Sequence, residues 1–375
     1  MSWRRGSGED PMTDQWCRFE VFKDEFTKTR WVEGALPPLG DGEVRLALST
    51  ASFTSNNITY GIVGEQYGYW RFFPVEEEGW GCLPVWGFAD IVESRAEGLE
   101  VGERIYGYFP MGSHLTVTPV KVAPHKFTDG AAHRQGLPGP YNYYERLAVD
   151  PNYAREMEPH HSLFAPLAST AYGLAEWVSR SDYQGADVIV CLSASSKTSL
   201  STAIYLKSMG VAGKLVGMTS ERNKSVVEKI GVYDEVITYD DYAALEKGRG
   251  HLILDFAGNG VVTANVHQHL GDDMLHHTVV GASHAQAQRR IDGVIAERSE
   301  VFFLPTYMDQ RLKETDGKFI TDMRAAMIDV TKQAAGWMEL DRAADRDAIE
   351  KLYNTVREGR IAPDHGGILQ FDHIC

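Results

Sequence analysis

The feature that most narrows what this chain can fold into is an alternation that begins near Ser181. Strand-sized apolar runs and helix-like segments follow one another: ADVIVCL, SLSTAIYLKSMG, GKLVGMT, NKSVVEKIG, DEVITY, a short helical piece near Tyr242 to Leu245, HLILDFAG, VVTANVHQHLG, HHTVVGA and EVFFLP. Strands separated by helices in this way are joined by right-handed crossovers, which predicts a parallel sheet covered on both faces. The residues before it read differently. Val44, Leu46 and Leu48 in EVRLALS recur with period two, as do Leu115 and Val117, then Val120 and Val122, with Gly and Pro between the runs. This predicts a β-rich domain with many turns. The tail from Met308 to Glu358 reads as mainly helical, and GRIAPDHGGILQF ends in one more strand. HRQGLPGPYNYYERLAVDP, His133 to Pro151, reads as a long loop: a lid or binding loop, or else a surface insertion.

Composition limits the partners. The chain has 375 residues, enough for two domains, and its 52 acidic against 37 basic side chains give a formal charge of -15. With no basic stripe, a nucleic-acid backbone is not the expected partner, and a small-molecule substrate is. No apolar run is long enough for a membrane span, and the first residues, with Met12 as an alternative start, lack the apolar core of a secretory signal. A cytoplasmic protein is expected, away from membranes. Cys17, Cys82, Cys191 and Cys375 form no C-x-x-C pair and are expected as reduced thiols. His160-His161 and His276-His277 lack metal-ligand spacing and read as solvated or structural, so no metal is expected.

The junction CLSASSKTSLSTAIYLK, Cys191 to Lys207, joins the first strand of the alternation to its first helix. A turn there presents the helix's free NH groups at the carboxyl edge of the sheet, where a pyrophosphate is favoured. Ser193, Ala194, Ser195 and Ser196 are small, the hydroxyls of Thr198 and Ser199 add donors, and Lys197 adds charge. SSKT also resembles the end of a nucleoside-triphosphate loop, which predicts a phosphotransferase using Lys197, but Cys191 and Ser196 stand where that loop needs glycine. A serine-rich turn that binds nothing is the third reading. After the second strand come Ser220, Arg222 and Lys224 rather than an acidic residue, which suits a 2′-phosphate and favours NADP over NAD.

Taken in order, these segments resemble the medium-chain dehydrogenase/reductase superfamily, in its zinc-free quinone oxidoreductase and enoyl reductase branch, as an outlying subfamily. LPVWGFADIVES, GLEVGERIYGYF, FAPLASTAYGLAEW, DFAGN and VVGAS carry the likeness across nearly the whole chain. Phe88 and Ala89 follow Gly87 where the superfamily's zinc enzymes have His and Glu, and SASSKTS replaces a glycine-rich turn. The resemblance implies an α/β fold: a GroES-like β-rich catalytic domain (1–166), a Rossmann doubly wound parallel sheet binding NADPH (167–310), and a C-terminal segment returning to the catalytic domain (311–375). It further implies that Thr170 contacts the nicotinamide ribose. Ser195, Ser196, Lys197, Thr198 and Ser199 would hold the pyrophosphate, with Ser193 also in the cofactor site, and Ser220, Arg222 and Lys224 the 2′-phosphate. Tyr239 would lie near the adenosine, while Ala257, Gly258 and Gly281 would let the cofactor approach the strand ends. Asn57 and Tyr60, in NNITYG, become candidates to orient a carbonyl or donate a proton, with a capped turn and a packed tyrosine as the alternative; Tyr141, Tyr143 and Tyr144 are further donors. The expected activity is hydride transfer from NADPH to an enone, quinone or enoyl thioester by a homodimer, the rival being a non-catalytic NADPH-binding or sensing protein of the same fold.

Overall fold

The computed structural model describes residues 15–256, 258–280, 293–372 and 374–375. In chain order the elements are β1 (Gln15–Phe22), β2 (Glu25–Ala35), β3 (Val44–Phe53), α1 (Ser55–Ile62), α2 (Gly64–Tyr67), β4 (Trp80–Gly81), β5 (Pro84–Ser94), β6 (Arg104–Pro110), β7 (His114–Val117), β8 (Pro119–Ala123), β9 (Lys126–Asp129), β10 (Tyr143–Arg146) and α3 (Glu158–Arg180). The alternating half follows: β11 (Val188–Leu192), α4 (Lys197–Ser208), β12 (Lys214–Thr219), α5 (Glu221–Ile230), β13 (Glu235–Thr238), β14 (His251–Asp255), α6 (Gly260–Leu270), β15 (Met274–Val280) and β16 (Ser299–Phe302). Then come α7 (Leu304–Thr315), α8 (Lys318–Ala335), β17 (Glu339–Ala343), α9 (Arg346–Arg357) and β18 (His365–Gln370). The chain divides into two compact units: Met1–Pro159 with Asp341–Arg360 and Gly367–Cys375, and His160–Leu340 with Ile361–Gly366.

The first unit is the β-rich one. A nine-stranded sheet runs β17-β18-β3-β5-β6-β10-β9-β8 with β7 also paired to β3, and a three-stranded sheet runs β2-β1-β4. Val44, Leu46 and Leu48 are buried, as their period of two requires. Gly87 is needed where β5 crosses β3, because a Cβ there would lie 2.4 Å from the Thr50 carbonyl oxygen. The 133–151 stretch is part of this framework. Tyr143–Arg146 is a strand between β6 and β9, and Tyr144 stacks on Phe127, its hydroxyl donating to the Tyr108 carbonyl at 3.0 Å. Buried Arg134 sits 3.1 Å from the equally buried Asp129. An arginine taken out of water requires such a carboxylate, and this one ties the loop to β9.

The expectation of reduced thiols needs correction for one pair. Cys17 in β1 and Cys375 at the chain's last position form a disulfide across a sequence separation of 358 residues. Spacing along the chain carried no sign of it, because β1 and the segment after β18 meet only in the folded unit. Cys82 and Cys191 are free and buried.

The second unit holds the six-stranded parallel sheet in the order β13-β12-β11-β14-β15-β16. Numbered within the sheet this is the doubly wound order 3-2-1-4-5-6. The apolar run in β11 follows from burial on both faces: Val188, Val190 and Leu192 join a cluster with Val262 and Val266 of α6, while Ile189 and Cys191 join another with Leu200 of α4 and Ala171 of α3. That second cluster also takes in Phe319, Met323 and Val330 of α8. Residues 311–340 therefore pack with the parallel sheet, not with the returning C-terminal segment to which the resemblance assigned them; α8's apolar stripe finds its partners on α3 and α4. No helix among the described residues is long and apolar enough to cross a membrane.

Gly217 in β12 has no room for a side chain. A Cβ there would lie 2.8 Å from the Tyr233 ring and 2.9 Å from the Ala194 Cβ. Gly217→Ala is expected to destabilise the chain by about 1–3 kcal/mol through overpacking, measured by urea unfolding.

Candidate functional site

The strand order reverses between β11 and β14, which opens a crevice beyond their carboxyl ends. Leu192 pairs with Asp255, so the turn after β11 and the segment after β14 border it together. Ser193 takes φ 61, the left-handed region where glycine is usual. The Ala194 NH donates to the Met218 carbonyl at 2.9 Å, and the Ser196 NH closes the turn on the Ser193 carbonyl at 2.9 Å. Ser196 is the N-cap of α4, its Oγ accepting from the Ser199 NH at 3.2 Å. The NH groups of Lys197 and Thr198 precede the first intrahelical bond and point out of the positive end of the helix. Together with the half-buried hydroxyls of Ser195 and Thr198, these are groups that could hold an anion.

Neighbouring elements hold this turn. Asn223 of α5 donates from Nδ2 to Ser195 Oγ at 3.2 Å. Tyr239, just beyond β13, hydrogen-bonds Ser193, and burial pushes its phenol above the usual range. Ser199 donates to Tyr233 Oη at 2.8 Å, and Tyr233 donates on to the Ala194 carbonyl at 3.0 Å. Two expectations change here. Ser199 is fully buried and turned inward, so it braces the turn and does not hold a phosphate. The Lys197 ammonium donates to the His365 carbonyl at 2.8 Å, which engages it with the 361–366 segment.

Ser220 stands at the N-cap position of α5 just past β12, so the first turn of α5 brings Ser220, Arg222 and Lys224 to the same sheet edge. Gly258 has φ 65 and its NH donates to Asp255 Oδ1 at 2.8 Å. Thr170 is half-buried on α3. Ala257 and Gly281 lie outside the described residues.

Asp255, Asn223 and Tyr233 escaped the sequence reading, although Asp255 belongs to the DFAGN segment. Behind Asp255 lies a buried polar group. Its Oδ2 accepts from Thr263 Oγ1 at 3.0 Å and stands 3.7 Å from His277 Nε2, and the His277 and His267 rings are 4.8 Å apart. His267 Nδ1 accepts the Ile295 NH at 3.0 Å, which requires an unprotonated nitrogen, and burial, aided by His277, pushes its pKa down to about 4.

In the β-rich unit, Asn57 is committed to the fold. Its Oδ1 accepts the Thr54 NH at 2.7 Å, and its Nδ2 donates to the Pro84 carbonyl at 2.8 Å. That is a capping role, which replaces the expectation that it orients a carbonyl. Tyr60 is different. Its hydroxyl accepts from Asn56 Nδ2 at 2.8 Å and Trp86 Nε1 at 3.2 Å, and it hydrogen-bonds Tyr141, which is 3.3 Å from the Tyr69 hydroxyl. Burial raises the phenols of Tyr60 and Tyr141. Tyr144 faces Arg134 and the Tyr108 carbonyl instead.

Residues 51–362 match the family model described as "Protein of unknown function (DUF2855)". No curated protein matches the sequence. Among solved structures, CurA in complex with NADPH from Vibrio vulnificus aligns with TM-score 0.61 at 13% identity, covering 95% of this chain and 99% of its own. A putative NADPH:quinone reductase from Bacillus thuringiensis aligns with TM-score 0.54 at 11% identity, with the same coverage. S. aureus TarJ in complex with NADPH aligns with TM-score 0.56 at 8% identity, again over 95% and 99%. The fold is that of the medium-chain dehydrogenases/reductases, a GroES-like β-rich part and a Rossmann sheet.

Ser193→Gly relieves the left-handed strain and is expected to raise stability by about 0.5–1 kcal/mol, read as a higher Tm, because relief of the backbone strain outweighs glycine's extra chain entropy. His267 is neutral in the folded chain down to about pH 4, whereas an unfolded histidine protonates near 6.5. Its contribution is therefore present above pH 6.5 and lost as pH falls towards 4, on the order of 3 kcal/mol. Urea unfolding at neutral and acid pH is expected to show a shallower loss in His267→Leu than in the parent.

Proposed function

We propose that this chain, which belongs to the family described as "Protein of unknown function (DUF2855)", is an NADPH-dependent reductase acting on an enone, quinone or enoyl thioester without zinc. The observation that carries the reading is the 3-2-1-4-5-6 sheet with a helix N-terminus and two half-buried hydroxyls at its switch point. Such an edge suits a pyrophosphate, and Ser220, Arg222 and Lys224 at the next strand end suit a 2′-phosphate. CurA and TarJ, crystallised with NADPH on this fold, support the same cofactor.

NADPH, when bound, supplies the hydride. The chain's own groups bind and orient it: Ser195, Ser196, Thr198 and the NH groups of the first turn of α4 at the pyrophosphate, with Asn223 and Tyr239 keeping the turn in place. Phe88 and Ala89 offer no ligand atom where the superfamily's zinc enzymes have His and Glu, so a developing enolate depends on hydrogen-bond donors. Tyr60, hydrogen-bonded to Tyr141 and held protonated by burial, is the proton donor of this reading. A homodimer paired through the edge strand β16 belongs to the same proposal, as does a cytoplasmic location.

Binding and turnover are measured separately. NADPH binding, followed by fluorescence, is expected to weaken roughly tenfold in Arg222→Ala with NADH binding unchanged. Tyr60→Phe is expected to lower kcat about a hundredfold while cofactor affinity holds. Binding without oxidation across a panel of enones, quinones and enoyl thioesters would make the chain a sensor instead. No binding at all would remove both readings.

A further inference from the structure

The Cys17–Cys375 disulfide does not stand alone. Cys375 Sγ lies 3.1 Å from Ser113 Oγ, and Ser113 Oγ lies 2.9 Å from His114 Nδ1, so sulfur, hydroxyl and imidazole form a continuous path. The Cys17 NH donates to the same hydroxyl at 3.0 Å, and the Ser113 NH donates back to the Cys17 carbonyl at 2.9 Å, which fixes the serine between the two half-cystines. Cys17 and Ser113 are buried, whereas Cys375 and His114 are half-exposed, so an external thiol or disulfide reaches Cys375 first. Nothing in the hydride-transfer reading uses any of these residues.

We infer that this cluster is a thiol–disulfide exchange site, a redox clasp at Cys375 whose proton moves through Ser113 to His114 and whose co-reactant is a small thiol or its disulfide. In the closing direction the Cys375 thiol gives its proton to Ser113 Oγ as the serine proton passes to His114 Nδ1. The Cys375 thiolate then attacks a small disulfide RSSR; a Cys375–SR bond forms, the S–S bond of RSSR breaks, and RS⁻ leaves. Cys17 attacks Cys375 Sγ and expels the second RS⁻. The two thiol protons end on the two leaving groups, and the two electrons reduce RSSR to two RSH. Opening reverses these steps, with two RSH as reductant. Burial, with Arg45 nearby, lowers His114, which favours the neutral imidazole that can accept the proton.

Opening also has a mechanical consequence. Phe371 hydrogen-bonds the Ser49 carbonyl and Arg346 the Ile374 carbonyl, and Phe371 and Ile374 are buried, so the sulfur bridge adds a covalent tie to a segment already docked by these contacts. Reduction is therefore expected to lower Tm, an effect absent from Cys375→Ser.

The full-length chain is reduced with dithiothreitol, desalted and exposed to glutathione disulfide, and re-formation of the bridge is followed by alkylation and mass spectrometry. Cys17 and Cys375 are expected to close while Cys82 and Cys191 stay unmodified, because burial pushes both of those thiols up to about 12. His114→Asn keeps a hydrogen-bond acceptor beside Ser113 but not a base. It is expected to slow closure by roughly tenfold with the Tm of the oxidised form unchanged, which a merely structural histidine would not do. Closure at the parental rate in His114→Asn would overturn the proton path. A bridge that neither opens with millimolar glutathione nor closes with its disulfide would overturn the exchange site, and neither result bears on NADPH binding.

Discussion

The turn that opens the parallel-sheet unit is braced through one hydroxyl, that of Tyr233. The chain must leave β11 and enter α4 within Ser193 to Ser196, and glycine ordinarily supplies both the left-handed conformation and the clearance for such a turn. Here the two requirements are met separately. Ser193 adopts φ 61 with its own side chain in place, and the strain is offset by Tyr239 on Ser193 and by Tyr233, which links the Ser199 hydroxyl to the Ala194 carbonyl. The clearance comes from the adjacent strand, where Gly217 leaves room beneath both Tyr233 and Ala194. The glycine that the turn lacks is in effect carried by β12. In the proposed reading, a serine turn braced from three sides would leave a bound pyrophosphate little ordering cost to meet.

What could be read in the sequence follows from how far each signal reaches. β11 announced itself because burial on both faces requires an unbroken apolar run, and the helices between strands because their partners lie on those faces. The same locality explains the period of two in β3. The roles of single side chains were less accessible. Ser199 reads as a phosphate donor until Tyr233, 34 residues away, takes its hydroxyl, and Lys197 reads as a phosphate ligand until His365, 168 residues away, offers a carbonyl. Asn57 differs again: its cap to Thr54 is local, but the bond to Pro84 that removes its amide from chemistry is not. Identity and spacing supply the chemistry available to a residue; the tertiary partner decides whether that chemistry is spent inside the fold.

The aromatic cluster of the β-rich unit illustrates how burial assigns a direction to chemistry. Tyr60 touches the rings of Tyr69, Tyr108 and Tyr141, and Trp86 stacks beside Tyr106, so the rings provide apolar contact while their hydroxyls require partners in the same volume. A phenol desolvated in this way has its pKa raised and gives up its proton reluctantly to water, yet it can pass that proton to a stronger base formed beside it. An enolate produced by hydride addition is such a base; an alcohol awaiting oxidation is not. In the proposed zinc-free reading, where no metal lowers an alcohol's pKa, a cluster of protonated tyrosines serves proton delivery far better than proton removal. The substitution of Phe88 and Ala89 for zinc ligands and the retention of raised phenols at Tyr60 and Tyr141 therefore favour the same direction, reduction, within the proposed reading.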